Sequence, residues 1–187
     1  MSAPSNANDL NMYQVWRAMT DADLDGVVAV ARIAFPDHFE DRDCFAERLT
    51  LYPTGCRVLT NAAGAVVGYG IAYPWVESSM PPLNATIGAL PRDASLLYLH
   101  DLALMPEARG SGAARGFVGW LVDHARAEGR SRIALVAVND AAPFWEGQGF
   151  AGLDSPALRG KLASYGDDAR YMVRALPPSD ILDQPSV

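Results

Sequence analysis

The residues of this chain that could do chemistry cluster between Leu96 and Phe117, LLYLHDLALMPEARGSGAARGF. An apolar run leads through a short turn into a Gly-rich segment that opens a helix. A helix start leaves backbone N–H groups unpaired at the positive end of the helix dipole, and so suits a phosphate or pyrophosphate. Gly110 and Gly112 carry no Cβ, which permits unusual dihedrals and the close approach of an anion. Arg109 adds a fork of charged donors. Upstream, His100 and Asp101 interrupt the apolar strand. A charge in a central strand is costly unless it is paired. Strand alternation predicts that the two side chains point to opposite faces.

Two plainer readings of the Gly-rich segment stand beside the anion site. Small residues at a helix start also let a helix pack closely on a sheet. Gly110, Gly112 and Gly116 approximate a dinucleotide-binding fingerprint as well. Against that fingerprint, Pro106 to Arg109 separate the strand from the glycines. The segment lies past the middle of the chain, and too little sequence follows Asn139 for the further βαβ units of a doubly wound sheet.

Arg109, Gly112 and Ala114 fit the pattern Gln/Arg-x-x-Gly-x-Gly/Ala. Arg132 to Asn139, RIALVAVN, follows as a strand, and NDAAPFWEGQGF, Asn139 to Phe150, as a short helix ending in Gly-Phe. On these segments the chain resembles the GNAT N-acetyltransferase superfamily. The resemblance implies an α/β (α+β) fold: a mixed, mostly antiparallel central sheet flanked by helices, with splayed fourth and fifth strands. It implies acetyl-CoA as acyl donor and an amine of a small molecule or peptide as acceptor, acetylated by direct attack. The alternative is a non-catalytic domain that binds or senses acyl-CoA. By resemblance, the backbone of Leu102, Ala103 and Leu104 pairs with the pantetheine arm. Arg109 and the N–H groups of Gly110, Ser111, Gly112, Ala113, Ala114 and Arg115 take the pyrophosphate. Asn139 binds the pantetheine amide. Trp145 stands where the family often has a Tyr that protonates the leaving thiolate, so it is expected to pack beside the sulfur instead.

Acetyl transfer to an amine rests on positioning and oriented donors and needs no nucleophilic residue. It does need a route for the proton of the charged amine. Asp101 and His100 are the candidates for that base or for binding the acceptor. A structural hydrogen-bond role stands beside this for Asp101, and a satisfied core histidine for His100. Tyr165, in a turn before the last strand, is the candidate hydroxyl for protonating the thiolate. Glu77 is a weaker candidate for the acceptor amine, and His38 and His124 read as structural or surface residues. No metal site is expected, since Cys44 and Cys56 have no ligand spacing.

The elements that must position these groups follow from pattern and punctuation. Tyr13–Met19 alternates like a first strand, and Asp21–Phe35 reads as a helix that Pro36 ends. Arg42–Leu51 is a second helix. Cys56–Thr60 and Val66–Val76 are antiparallel strands joined by the Asn61–Gly64 turn. Glu77–Ala94 is a long loop that could border the acceptor pocket. Ser95–Met105 is the fourth strand, and Gly112–Glu128 the main helix, with Phe117 and Trp120 as core residues. Arg132–Val138 is a buried strand, Ala141–Gln148 a short helix and Ala169–Leu176 a last strand. Residues 1–11 are expected to be a flexible segment, 12–176 a single domain and 177–187 a tail.

At 187 residues the chain can bury a real core. Its net charge of −7 lacks the basic footprint that nucleic acid needs. No apolar run is long enough to span a membrane, and the polar N-terminus lacks a signal peptide's apolar stretch. Two cysteines and no framework suit a reducing, cytoplasmic location. A homodimer is possible. The acidic surface favours a cationic acceptor, so Arg109 and Arg115 must offset it locally where phosphates bind.

Overall fold

The computed structural model describes residues 14–177 except 39 and 155. The expected flexible segment 1–11, and all of the expected tail 177–187 beyond its first residue, lie outside the described residues. Seven strands form one sheet: β1 (Val15–Ala18), β2 (Cys56–Thr60), β3 (Val66–Trp75), β4 (Leu96–Leu104), β5 (Arg132–Ala137), β6 (Ala151–Gly152) and β7 (Arg170–Ala175). They lie in the order β1-β2-β3-β4-β5-β7-β6. Every neighbouring pair is antiparallel except β4 and β5. A parallel pair needs a crossover, and here α3 (Ala113–Ala127) supplies it.

Helices cover both faces. On one face α1 (Leu24–Ala34) presses Leu24, Val27, Val30 and Ala31 into the core, and α2 (Arg42–Leu51) adds Phe45 and Leu49. On the other, α3 buries Phe117, Val118, Leu121 and Ala125, joined by Trp145 of α4 (Ala142–Gly147). Gly70 explains one close contact between α3 and the sheet. A Cβ there would lie 2.2 Å from the Phe117 ring, so only glycine admits that side chain. Trp120 is half-buried, with the Arg57 guanidinium 4.7 Å above its ring.

Element types agree with the sequence reading, and the edges shift by a residue or two. The expected first helix begins as a 3-10 turn, Asp21–Asp23, before α1 proper. There the Asp23 carboxylate accepts from the Thr20 N–H and hydroxyl and pairs with Arg17 at 2.6 Å. The sequence reading missed two elements between Phe150 and Tyr165, the two-residue strand β6 and α5 (Pro156–Leu162). Both are too short to show a period of their own.

Two irregularities of β4 shape the molecule. Its pairing with β5 covers three positions, ending at Leu99 opposite Leu135, after which the strands part. On its other side, Ile71 of β3 faces Asp101 while Ala72 faces Leu99, so His100 is an extra residue, a β-bulge. The bulge corrects the expectation that His100 and Asp101 point to opposite faces. The His100 ring lies against Tyr73 and Tyr98, at 5.7 and 6.4 Å, and Asp101 accepts from Tyr69. All three tyrosines belong to the core layer beneath α1 and α2.

Candidate active site

Where β4 and β5 part, a cleft of about 740 Å³ passes between them through the sheet. One end is floored by β4 from Leu102 to Leu104 and bounded by Arg109, Gly110 and Ala114 at the start of α3, with Asn139, Phe144 and Trp145 opposite. The other end opens on the α1 face, among Phe35, His38, Glu40, Leu83, Tyr98, His100, Asp101 and Tyr165.

The first end is built from backbone. Gly110 and Gly112 have φ of 78° and 87°, in the left-handed region that glycine tolerates, and Gly112 is the N-cap of α3. Nothing lies within 4 Å of where a Cβ would stand on either, so the space above the turn is open. The first N–H groups of α3 have no partner four residues back, as at any helix start. The Ser111 hydroxyl donates to the Ala108 carbonyl and accepts the Ala113 N–H at 3.3 Å, which closes the turn from within. The exposed Arg109 side chain donates from Nε to the Leu104 carbonyl at 3.3 Å. Ser111, Gly112, Ala113 and Arg115 form the turn beside the cleft and do not line it, while the other residues expected to hold the cofactor do. Asn139 also has a positive φ, 54°, where β5 has ended. These features fit a long ligand with an anionic end: a helix start, open space over two glycines, and a strand edge left unpaired beyond Leu99.

The second end is built from side chains that converge from different elements. Glu40, between α1 and α2, accepts from His100 at 2.7 Å, with both side chains under 5% exposed. His100 as a whole is only half-buried, so its exposed part is backbone facing the cleft. Asp101 accepts the Tyr69 hydroxyl at 2.8 Å. Behind Glu40 lies Arg48 of α2, fully buried, 3.8 Å from Glu40 and 2.9 Å from Glu47. The Glu40 carboxylate also takes the Asn84 N–H, and that of Glu47 takes those of Ile87 and Gly88. Two acids, the buried Glu40 and the half-buried Glu47, thereby pin the 77–94 loop, and Leu83 from that loop lines the cleft.

Burial and charge set the protonation of this cluster. Burial opposes ionisation of Glu40, but His100, Arg48 and the Asn84 N–H outweigh it and hold the carboxyl below the usual range. Burial also opposes protonation of His100, yet Asp101 and Glu40 raise its pKa above that of an ordinary histidine. For Asp101 burial prevails over the pull of His100, and with Glu40's charge it lifts the carboxyl above the usual aspartate range. Polar atoms of Glu40, His100 and Asp101 all lie within 4.8 Å of one another, close enough to share a cation. The Arg48 guanidinium, 3.8 Å from Glu40, adds a positive charge to the same cluster.

The structure places the remaining expected residues variously. Tyr165 is on the cleft, but its hydroxyl donates to the Pro81 carbonyl at 3.2 Å, and burial pushes its pKa up to about 12. Trp145 lines the cleft, 8% exposed, with its ring edge-on to Phe144 and Phe150. His38, read as structural or surface, lies on the cleft as well, with Nε2 3.0 Å from the Tyr165 carbonyl. Glu77 is away from the cleft, paired with Arg132. His124 is structural, bonded to the Tyr52 hydroxyl and stacked on Trp120. Sequence reasoning missed Glu40 and Arg48. For Arg48 a signal existed, since it stands three residues after Phe45 and beside Leu49, on the buried face of α2. For Glu40 there was none, because its partner is 60 residues away.

Comparison with known proteins bears on the whole arrangement. A family model, the acetyltransferase (GNAT) family, matches residues 16–150. No curated protein matches the chain in sequence. Among solved structures, Ard1 from Thermoplasma volcanium is similar with a TM-score of 0.68 at 15% identity, over 87% of this chain and 97% of that one. Naa20 from Chaetomium thermophilum, in complex with a bisubstrate analogue, is similar at 0.64 and 17% identity, over 87% of this chain and 86% of its own. A GNAT family N-acetyltransferase (YhbS) from Escherichia coli, in complex with CoA, is similar at 0.55 and 20% identity, over 87% of this chain and 81% of its own. At these identities the likeness speaks to the fold.

Proposed function

The chain belongs to the GNAT acetyltransferase family, and from that premise we propose that it moves an acetyl group from acetyl-CoA to the amine of a small molecule or peptide by direct attack. The observation that carries the reading is the cleft itself: a glycine turn that opens a helix at one end, the buried Glu40–His100 pair beside Asp101 at the other, and a stretch of β4 whose β5-side edge is unpaired between them.

Each part has a task. Gly112 and the N–H groups that follow, with Arg109, hold the pyrophosphate. The edge of β4 from Leu102 to Leu104 offers backbone partners to the pantetheine amides, and Asn139 faces it across the gap. Trp145 supplies apolar surface beside the sulfur. Asp101 accepts the proton of the acceptor ammonium. Its raised pKa makes it a stronger base than an exposed aspartate, while Tyr69 orients it. His100, Glu40 and Arg48 are positioning residues that keep the buried charges balanced. The amine nitrogen forms its bond to the thioester carbon, the carbon–sulfur bond breaks, and the sulfur leaves with the electron pair, while the second proton lost by the nitrogen passes to it by way of water. The Tyr165 proton is engaged by Pro81, so water protonates the thiolate.

The experiment is turnover of acetyl-CoA with a panel of amines, following thiol release, alongside the thermal midpoint with and without acetyl-CoA. Binding raises the midpoint because the ligand binds only the folded state. Stabilisation with turnover is expected. Stabilisation without turnover on any amine would favour an acyl-CoA sensor, and an unmoved midpoint would remove the cofactor assignment. Tyr165→Phe is expected to turn over as the wild type does. A loss confined to kcat would return the proton-donor role to Tyr165.

A further inference from the structure

Resting on the acetyl-transfer reading, we propose that the acceptor is a small primary amine with an uncharged, apolar body, an aryl- or alkylamine, and neither an amino acid nor a peptide.

The charges along the cleft carry the first half of this argument. The acceptor end presents two carboxylates, Glu40 and Asp101, around His100. Among the described lining residues the one Lys or Arg is Arg109, at the opposite end, where it leans on the Leu104 carbonyl. Arg48 is fully buried behind Glu40 and bound to Glu40 and Glu47, so no ligand reaches it. An ammonium entering this end meets complementary charge. A carboxylate on the same molecule would meet the Asp101 carboxylate and no cation free to pair with it, since the His100 side chain is 3% exposed and bound to Glu40, which works against amino acids.

The walls carry the second half. Ala34, Phe35 and Pro36 follow one another at the end of α1, and Leu83 and Tyr98 face the same space. Ile33, 51% exposed, extends the apolar surface to the rim. A second charge on the acceptor would be desolvated against these side chains without a partner. A peptide would bring N–H and C=O groups that also need partners. Four polar groups of the three segments at this end are already paired with one another, His38 with the Tyr165 carbonyl and the Tyr165 hydroxyl with the Pro81 carbonyl.

The test uses the full chain and a matched pair, 2-phenylethylamine and phenylalanine, which differ only in the carboxylate. Glutamate and a short peptide with a free N-terminus complete the set. Binding to the CoA-loaded protein is read by calorimetry, and turnover by thiol release. We expect kcat/KM for 2-phenylethylamine to exceed that for phenylalanine by about 100-fold, as like-charge exclusion allows, and the binding order to agree. Leu83→Arg places a cation at the acceptor end on a half-buried loop residue, and should narrow that ratio about tenfold. Phenylalanine, glutamate or the peptide bound and acetylated as well as 2-phenylethylamine would overturn the acceptor class and leave acetyl transfer standing. Tight, selective binding of 2-phenylethylamine without turnover would do the reverse. An unchanged ratio in Leu83→Arg would overturn the charge argument.

Discussion

The two ends of the cleft are made in different ways. The turn from Arg109 to Ala114 is local: consecutive residues, two positive-φ glycines and the start of one helix. The other end is assembled from the loop before α2, from α2 itself, from β3 and from β4, and no two of its main groups are neighbours except His100 and Asp101. A local site tolerates damage around it, since its geometry is backbone geometry. An assembled site links chemistry to stability, because its charges are balanced only when every element is in place.

That difference predicts how mutations divide. The largest effect is expected for Glu40→Gln, which leaves His100 and Arg48 with less compensation in a buried setting. Breaking such a pair typically costs about 3–5 kcal/mol. Denaturant unfolding should show that loss, and acetyl-CoA affinity at temperatures where the variant is folded should hardly change. If stability is untouched, the two ends do not differ in this way.

Asp101→Asn comes next. It keeps the shape and the Tyr69 contact but cannot accept a proton, so turnover should fall about 10²-fold or more with acetyl-CoA binding preserved. The pH profile gives the sign. Burial raises the Asp101 carboxyl, and below that pKa the group is already protonated and cannot serve as base. The acid limb of kcat/KM should therefore lie above the ordinary aspartate range, and it should be missing in Asp101→Asn. A limb shared by both proteins would assign it to another group.

At the local end the effects are smaller and fall on the cofactor. Gly112→Val meets no neighbour within 4 Å, but forces a β-branched residue to φ near 87° and covers the approach to the N–H groups. The strain alone is about 1–3 kcal/mol, and acetyl-CoA titration should show affinity weaker by tenfold or more. Equal stabilisation of wild type and Gly112→Val by acetyl-CoA would remove the pyrophosphate from this turn. Arg109→Ala, the mildest, gives up one exposed charge-assisted contact. It should weaken acetyl-CoA about tenfold, on the order of 1–2 kcal/mol, without changing the unfolding midpoint of the free protein.

How far the sequence could be read follows the same division. Helix starts, turn glycines and apolar periods are properties of a few adjacent residues, so α1, α2, α3 and the first five strands were legible from punctuation and spacing. The resemblance rested on the same kind of feature, Arg109 with Gly112 and Ala114. The two-residue β6 and the seven-residue α5 were not legible, being too short to show a period.

By itself the sequence determined the hairpin of β2 and β3, the crossover through α3 and the glycine turn that opens it, because each depends on backbone conformations that local residue types dictate. Only the tertiary structure decided the rest. The bulge at His100 comes from the register of β4 against β3, and that one extra residue turns His100 and Asp101 to the same face. The pairing of Glu40 with His100 comes from how the loop before α2 packs on the sheet, across 60 positions of chain. Register and long-range burial are set by the whole core at once, and so the charges that lend this cleft its chemistry could be suspected one at a time but not joined.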